Sequence, residues 1–440
     1  MDKLVLYIYG LNKDFKLDIK NDSQVAFDNY LELLSIFLDK KDDKFLLGTP
    51  IQMNGNIRKK YQDYVSKYKK ESPLLNKFEK NLEKIKNNEF FWIDFKDSHS
   101  NEEILFIGNL VDVYNKSDDD EERAKLFQEI SDIQDTVYGE LLKVYDVKVF
   151  DSSIKKSIGE SDRAKRICKF CKRNKQNDAT FDSKAHIISE ALGNKLLILN
   201  EECDECNSEF GSGIEIDLIE YLNVYRVFFK VKGKKNVPTV KYKKGGLIKN
   251  VSANEIPTNN LINTDNLMVI MSHDIKFDKE TGSLNILLES QQKLKEVNIY
   301  KTLCKYVLSA ISKEELPFLQ ETIDWIKSND VEVKKLPYVA MTIVNKMFTE
   351  YPLLSIYIKK NDSQYPHVVA EFRFKSLIFV FILPFSTKNK INYQGKEVYS
   401  FLWKIFKHYD FVKTWNFYDF SSTEKKKYQF NINTIQNKMD

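Results

Sequence analysis

Ser183-Lys184-Ala185-His186-Ile187-Ile188-Ser189-Glu190-Ala191-Leu192-Gly193-Asn194-Lys195 lies between Cys168-Lys169-Phe170-Cys171 and Cys203-Asp204-Glu205-Cys206-Asn207, and this order decides how the centre of the chain folds. A CxxC pair lets two thiolates reach one ion because its two intervening residues form a tight turn. Two such pairs supply the four sulfur ligands of a closed tetrahedral zinc site. Four of the five cysteines fall in these pairs, which suits a reducing compartment and a metal better than disulfides. Structural zinc at Cys168, Cys171, Cys203 and Cys206 is therefore expected, the alternatives being a redox dithiol or four buried apolar cysteines. Cys304, alone on the apolar face of a predicted helix, reads as a core residue.

The succession CxxC, His186-Ile187-Ile188, Leu192-Gly193-Asn194 and CxxC-Asn207 resembles the zinc-ribbon type of HNH endonuclease, over about 60 of the 440 residues. The resemblance implies a ββα-metal module with His186 on the first strand, an omega-shaped loop, a second strand, and a helix carrying the last ligand. It also implies phosphodiester hydrolysis. His186 is then the general base, since an imidazole with a pKa near 6.5 accepts a proton from water at neutral pH. Asn194 matches the residue that orients the histidine-bearing loop, and Asn207 matches the metal-binding residue of the helix. One divalent ion, Mg2+ or another hard cation, would stabilise the leaving oxygen. The residue before the histidine is often an acidic ligand in this family, whereas here it is Ala185; Glu190 and Asp204 are the nearest oxygens to complete the shell.

Outward from this centre, charge becomes locally informative. Lys and Arg total 68 against 64 Asp and Glu, a net charge of only +4, so the global balance identifies no partner. Between Arg226 and Lys249, however, nine basic residues occur with no acid, among them Arg226, Lys234, Lys235, Lys243 and Lys244. Arg163, Lys165, Arg166, Lys169, Lys172, Arg173 and Lys175 form a second group around the first cysteine pair. Both suit a groove for a phosphate backbone, the plain alternative being solvated lysine-rich surface.

The flanks carry less specific signals. Residues 1–155 open on the strand-like run Leu4–Tyr9 and continue with helical periodicity over Tyr61–Lys86, which suggests an α/β or mostly helical domain. The acidic run Asp118–Glu122 reads as a solvated turn before a helix starting near Glu122. Ser212–Glu215 and Ser312–Glu315 both have the capping-box spacing that opens a helix. An apolar-periodic helix is expected over Val297–Ile311, and strands over Leu354–Ile358, His367–Phe374 and Leu377–Leu383. The expected fold is thus α+β and multidomain: 1–155, a central HNH module with a four-cysteine zinc site over 156–250, and an α+β region over 251–440 for sensing or partner and substrate recognition.

Composition excludes two classes. Hydrophobic residues at 42% and aromatics at 13% argue against a disordered chain. The longest apolar run, Leu377–Leu383, is far short of the roughly 18 to 20 residues that cross a bilayer. With no signal-peptide pattern at the N-terminus, a cytoplasmic location is expected. The leading functional expectation is a metal-dependent endonuclease acting on nucleic acid, double-stranded DNA before RNA. Chains that resemble this one, with an HNH module between unfamiliar flanks, often belong to bacterial defence against phage. A catalytically inactive zinc-ribbon binding module is the second reading. An adaptor is the third, with a partner or a second copy adding a strand near residues 354–383.

Overall fold

The computed structural model describes residues 3–11, 14–20, 22–38, 40–41, 44–45, 48–70, 72–96, 99–234, 236–242, 246–251, 267–271, 275–278, 283–328 and 336–435. The chain divides into two compact units, Met1–Lys143 and Val144–Asp440.

In the first unit, Leu4–Tyr9 does form a strand, Lys3–Gly10, paired antiparallel with Phe15–Lys20 on one side and Phe90–Asp94 on the other. Alternation sorts its side chains. Leu6 and Ile8 are fully buried in a core with helices α1 (Gln24–Phe37), α2 (Gly55–Tyr68) and α3 (Leu74–Leu82). Tyr9 packs instead with Ile107 and Val111 of α4 (Asn101–Lys116). The periodic stretch 61–86 is two helices rather than one, because Pro73 stands at the N-cap of α3 and cannot continue a helix from before it. Asp120, Glu121 and Glu122 form the first turn of α5 (Asp120–Val144), where carboxylates meet the positive end of the helix dipole.

The second unit is built on a six-stranded antiparallel sheet. Its order is Asn416–Tyr418, Val339–Ile343, Leu377–Ile382, Val368–Phe374, Leu353–Lys359 and Tyr145–Asp151. Leu377–Ile382 lacks alternation because both of its faces are buried. Before the sheet's last strands in sequence come α6 (Asp204–Ser212), α7 (Ile214–Phe228), α8 (Glu296–Ala310) and α9 (Gln320–Lys327). Phe379 and Phe381 join the core shared with α8, where Cys304 is also fully buried. On the other side Tyr399 of α10 (Glu397–Leu402) donates to the carbonyls of Val380, 2.9 Å away, and Tyr338. Among the described residues no helix is long and apolar enough to cross a membrane.

Several expectations are corrected here. Tyr145–Asp151, assigned from sequence to the first domain, is an edge strand of the second unit's sheet. The central module and the C-terminal region, expected as separate domains, share one hydrophobic core. The strands at 354–383 are paired on both sides, so they offer no free edge for augmentation; the edges are Tyr145–Asp151 and Asn416–Tyr418. Neither capping box forms its cap bond: the Ser212 hydroxyl donates to the Ser208 carbonyl, and α7 is capped by Gly213 without a side-chain bond. Ser312 precedes a 3-10 helix, Lys313–Leu319, and likewise gives no cap bond. Both glutamates are drawn into tertiary pairs instead. Glu315 meets His367 Nε2 at 2.8 Å and Lys388 Nζ at 2.7 Å, and Glu215 belongs to a network under the candidate site.

Candidate active site

The first cysteine pair lies on a tight turn whose shape follows from its hydrogen bonds. Lys172 N donates to Cys168 O at 3.0 Å and Cys168 N to Arg173 O at 2.8 Å, while Lys172 adopts the left-handed conformation at φ 61°. The second pair opens α6, with Cys203 as its N-cap and Cys206 in its first turn. Sulfur anions are favoured there by the helix dipole. All four Sγ atoms lie within 4.8 Å of one another, and Cys171 and Cys203 are 3.6 Å apart. That spacing suits zinc, because four Zn–S bonds of about 2.3 Å at tetrahedral angles place sulfurs about 3.8 Å apart. Cys203 N and Arg173 Nε each point at a sulfur from 3.5 Å. Among the described residues this is the one group of three or more His, Cys, Asp and Glu side chains close enough to hold a metal.

His186 ends a two-residue strand, Ala185–His186, paired antiparallel with Leu197–Leu199, so the ββα order expected from sequence is present. The connecting loop is held from inside by Asn194, which is completely buried. Its amide donates to Ile188 O at 2.7 Å and Leu197 O at 3.0 Å, while its oxygen accepts from Leu196 N at 3.1 Å and Leu197 N at 2.9 Å. Every polar atom of that amide is therefore used on the two ends of the loop, and no hydrophobic residue could replace it. Gly193 closes the short 3-10 turn Glu190–Leu192 with φ 95°, a conformation that costs glycine little. The His186 ring is half-buried, and burial draws its pKa below 6.5, with Glu190 opposing and Lys305 reinforcing the shift.

The remaining oxygen donors are unequally placed. Asp204 accepts from Asp182 N at 3.0 Å and Ser183 N at 2.8 Å, and also from the Ser183 hydroxyl, so its carboxylate fastens the segment leading into the histidine strand. These bonds hold it well below the usual carboxylate range against a desolvation penalty. Asn207, half-buried one turn into α6, directs its amide at Ser183 Oγ from 3.5 Å. Glu190 is partly exposed and lies close enough to His186 to influence its titration. Ala185 is 1% exposed, its side chain turned into the interior.

Beneath the site lies a network with no distinctive sequence signal. Lys305 of α8, 1% exposed, places its Nζ 3.2 Å from Glu202, 3.0 Å from Glu215 and 3.2 Å from the carbonyl oxygen of His186. One cation thus serves two buried carboxylates; burial, opposed by Lys305, pushes Glu202 up to about 7. Lys169, similarly buried, donates to Ser309 O at 3.0 Å and Ile311 O at 2.7 Å at the C-terminal end of α8, where a cation meets the negative end of the helix dipole. Periodicity showed α8 as apolar but could not show which partner would bury its lysines. Lys305→Ala would leave two carboxylates without their cation and is expected to cost about 3–5 kcal/mol of folding stability. The urea midpoint of the variant measures this.

Of the expected phosphate-binding residues, Lys234 is exposed, while Lys235, Lys243 and Lys244 lie outside the described residues. Arg226 is not presented at the surface as expected: it is 7% exposed and donates to Asn223 Oδ1 at 2.6 Å. In the cluster around the first cysteine pair only Lys169 is buried, Arg163, Lys165, Lys172 and Lys175 stay exposed, and several members have partners within the chain. Arg163 pairs with Asp182 at 3.3 Å, Arg173 pairs with Glu205, and Arg166 donates to Glu160 O and Ser161 O.

Residues 168–223, from the first cysteine through most of α7, match the HNH endonuclease family. The chain therefore carries an HNH module in its middle, with four clustered cysteines as in the zinc-bearing type. No curated protein and no solved structure matches the chain.

Proposed function

We propose that this protein is a metal-dependent endonuclease that hydrolyses phosphodiester bonds in nucleic acid, DNA in preference to RNA, with His186 as the general base. The observation that carries this reading is the setting of His186 within the HNH segment. Its ring is kept neutral by burial, its carbonyl is held by Lys305, and the loop after it is tied by Asn194. A neutral imidazole has the free lone pair that takes a proton from water, while the neighbouring contacts hold the backbone that carries it.

The donors near it suit a hard divalent cation that keeps several waters, Mg2+ being favoured. Asn207 would hold it together with Glu190, since Asp204 already spends its oxygens on the backbone of 182 and 183. When bound, such an ion supplies charge stabilisation for the departing oxygen. Zinc at the four cysteines would be structural, its shell closed by sulfur. The protein is proposed to act in the cytoplasm, and a role in defence against phage rests on the placement of the module between unfamiliar flanks.

The buried methyl of Ala185 favours one other reading, a zinc-ribbon module that binds nucleic acid without cutting it. Incubation of the purified protein with plasmid, genomic DNA and RNA in Mg2+, Mn2+ or EDTA separates the two. Activity also carries a pH signature. Because burial lowers the His186 pKa, the base is predominantly in its proton-accepting form at pH 7, and cleavage should fall as acid protonates the ring. The kcat/KM profile is therefore expected to rise with pH through a midpoint below 6.5 and to level off above it. A midpoint above 7 would assign the base to another group.

A further inference from the structure

A cleft of about 490 Å3 runs beside the histidine-bearing loop, lined by Leu192, Gly193 and Lys195 of that loop, by Phe229, Lys230 and Lys232 after α7, and by Glu350, Tyr351 and Lys375 of the sheet's connections. Lys195 and Lys232 are exposed and Lys230 half-exposed, and none of the three makes an ion pair among the described residues. Glu350 is the lone acid in the lining. Ser152, 1% exposed, also lines the cleft, and its hydroxyl has no hydrogen-bond partner among the described residues.

Large rings stand exposed at the same place. Tyr351 is 42% exposed, Phe229 37% and Phe348 49%, with the Phe229 and Phe348 rings 5.6 Å apart. Lys375 Nζ lies 5.3 Å over the Phe348 ring. Exposed aromatics interleaved with unpaired lysines match the demands of an unpaired nucleic acid strand, whose phosphates need cations and whose bases need flat apolar faces. A protein partner would be served by the rings but not by three uncompensated ammonium groups. The cleft has the volume of a small-ligand site, large enough for splayed-out nucleotides.

We propose that this cleft holds a single-stranded segment of the substrate, lysines on its phosphates and the rings of Phe229, Phe348 and Tyr351 against its bases. The inference rests on the nuclease reading of the adjoining loop and gives it a substrate class: nucleic acid with unpaired nucleotides beside the site of cutting.

The test uses the full chain carrying His186→Ala, so that nothing is cut, and measures binding of a fluorescent single-stranded oligonucleotide and of the blunt duplex of the same sequence. Tyr351→Ala and Phe348→Ala are expected to weaken single-strand binding by roughly 5- to 150-fold each, the span seen when a stacking ring is removed, and duplex binding by less than about twofold. Tyr351→Phe keeps the ring and should bind as the parent does. Unchanged melting temperatures confirm that these surface substitutions leave the fold intact. Equal losses on both substrates, no loss on the single strand, or a parent that binds no single strand would each overturn the proposal. Failure of the nuclease reading appears elsewhere, as absence of nicking by the native chain, and leaves this binding comparison interpretable.

Discussion

Replacement of His186 by alanine is expected to lower nucleic acid cleavage by about 10² to 10⁴, the usual contribution of a general base, while zinc content and melting temperature stay at native values. The loss should be confined to chemistry for a structural reason. The contacts that shape the strand and loop use the His186 carbonyl and the Asn194 amide, not the imidazole. Asn207→Ala is expected to behave differently, raising the Mg2+ concentration required for activity, because its side chain is the one proposed to hold the ion from α6. A metal titration of the two variants tells them apart. Native cleavage that survives His186→Ala at full rate would move the active centre elsewhere in the chain.

Removal of zinc should have the largest effect on stability. Structural Zn2+ bound by small modules contributes roughly 10–16 kcal/mol of apparent binding energy, more than most domains have in total. Without a cation the crowded sulfurs cannot all ionise. The hydrogen bond from Cys206 draws Cys168 down to about 4, while burial raises Cys203 to about 12 and the same bond to Cys168 holds Cys206 above its ordinary range. Elemental analysis should find about one zinc per chain. A strong chelator should abolish the cooperative melting of Val144–Asp440, because the cysteines belong to the same core as α8 and the sheet. The transition of Met1–Lys143, a compact unit with its own core, should persist. Soluble folded protein with no metal, melting unchanged in chelator, would refute the assignment.

The features legible in the sequence were those set by near neighbours. Cys168-x-x-Cys171 forms its turn from local hydrogen bonds, and Asn194 reaches only from Ile188 to Leu197, so their spacing carried their roles. The run Leu377–Leu383 was readable as a strand because full burial leaves its apolar composition uninterrupted. What escaped was decided by distant partners. Glu215 and Glu315 sat at the right spacing for capping boxes, yet a buried lysine or histidine from elsewhere in the chain gains more from a carboxylate than an exposed helix end does. Basic residues near Cys168 read as a phosphate surface because composition cannot show that Lys169 would fold inward onto α8. The strand Tyr145–Asp151 went to the wrong domain since its partner, Leu353–Lys359, lies some two hundred residues away.

The Lys305 network has a practical meaning for anyone wishing to move this HNH module into another protein. Segment 168–223 looks like a portable cassette, bounded by its own metal ligands and complete in its motif. Cut out at those limits, it would carry Glu202 and Glu215 away from the cation they share and strip Lys169 of the carbonyls it caps. Its apolar underside, moulded to α8, would face water. The smallest transplantable piece is therefore Val144–Asp440 as a whole, and a fusion designed on the motif alone would deliver an unfolded graft.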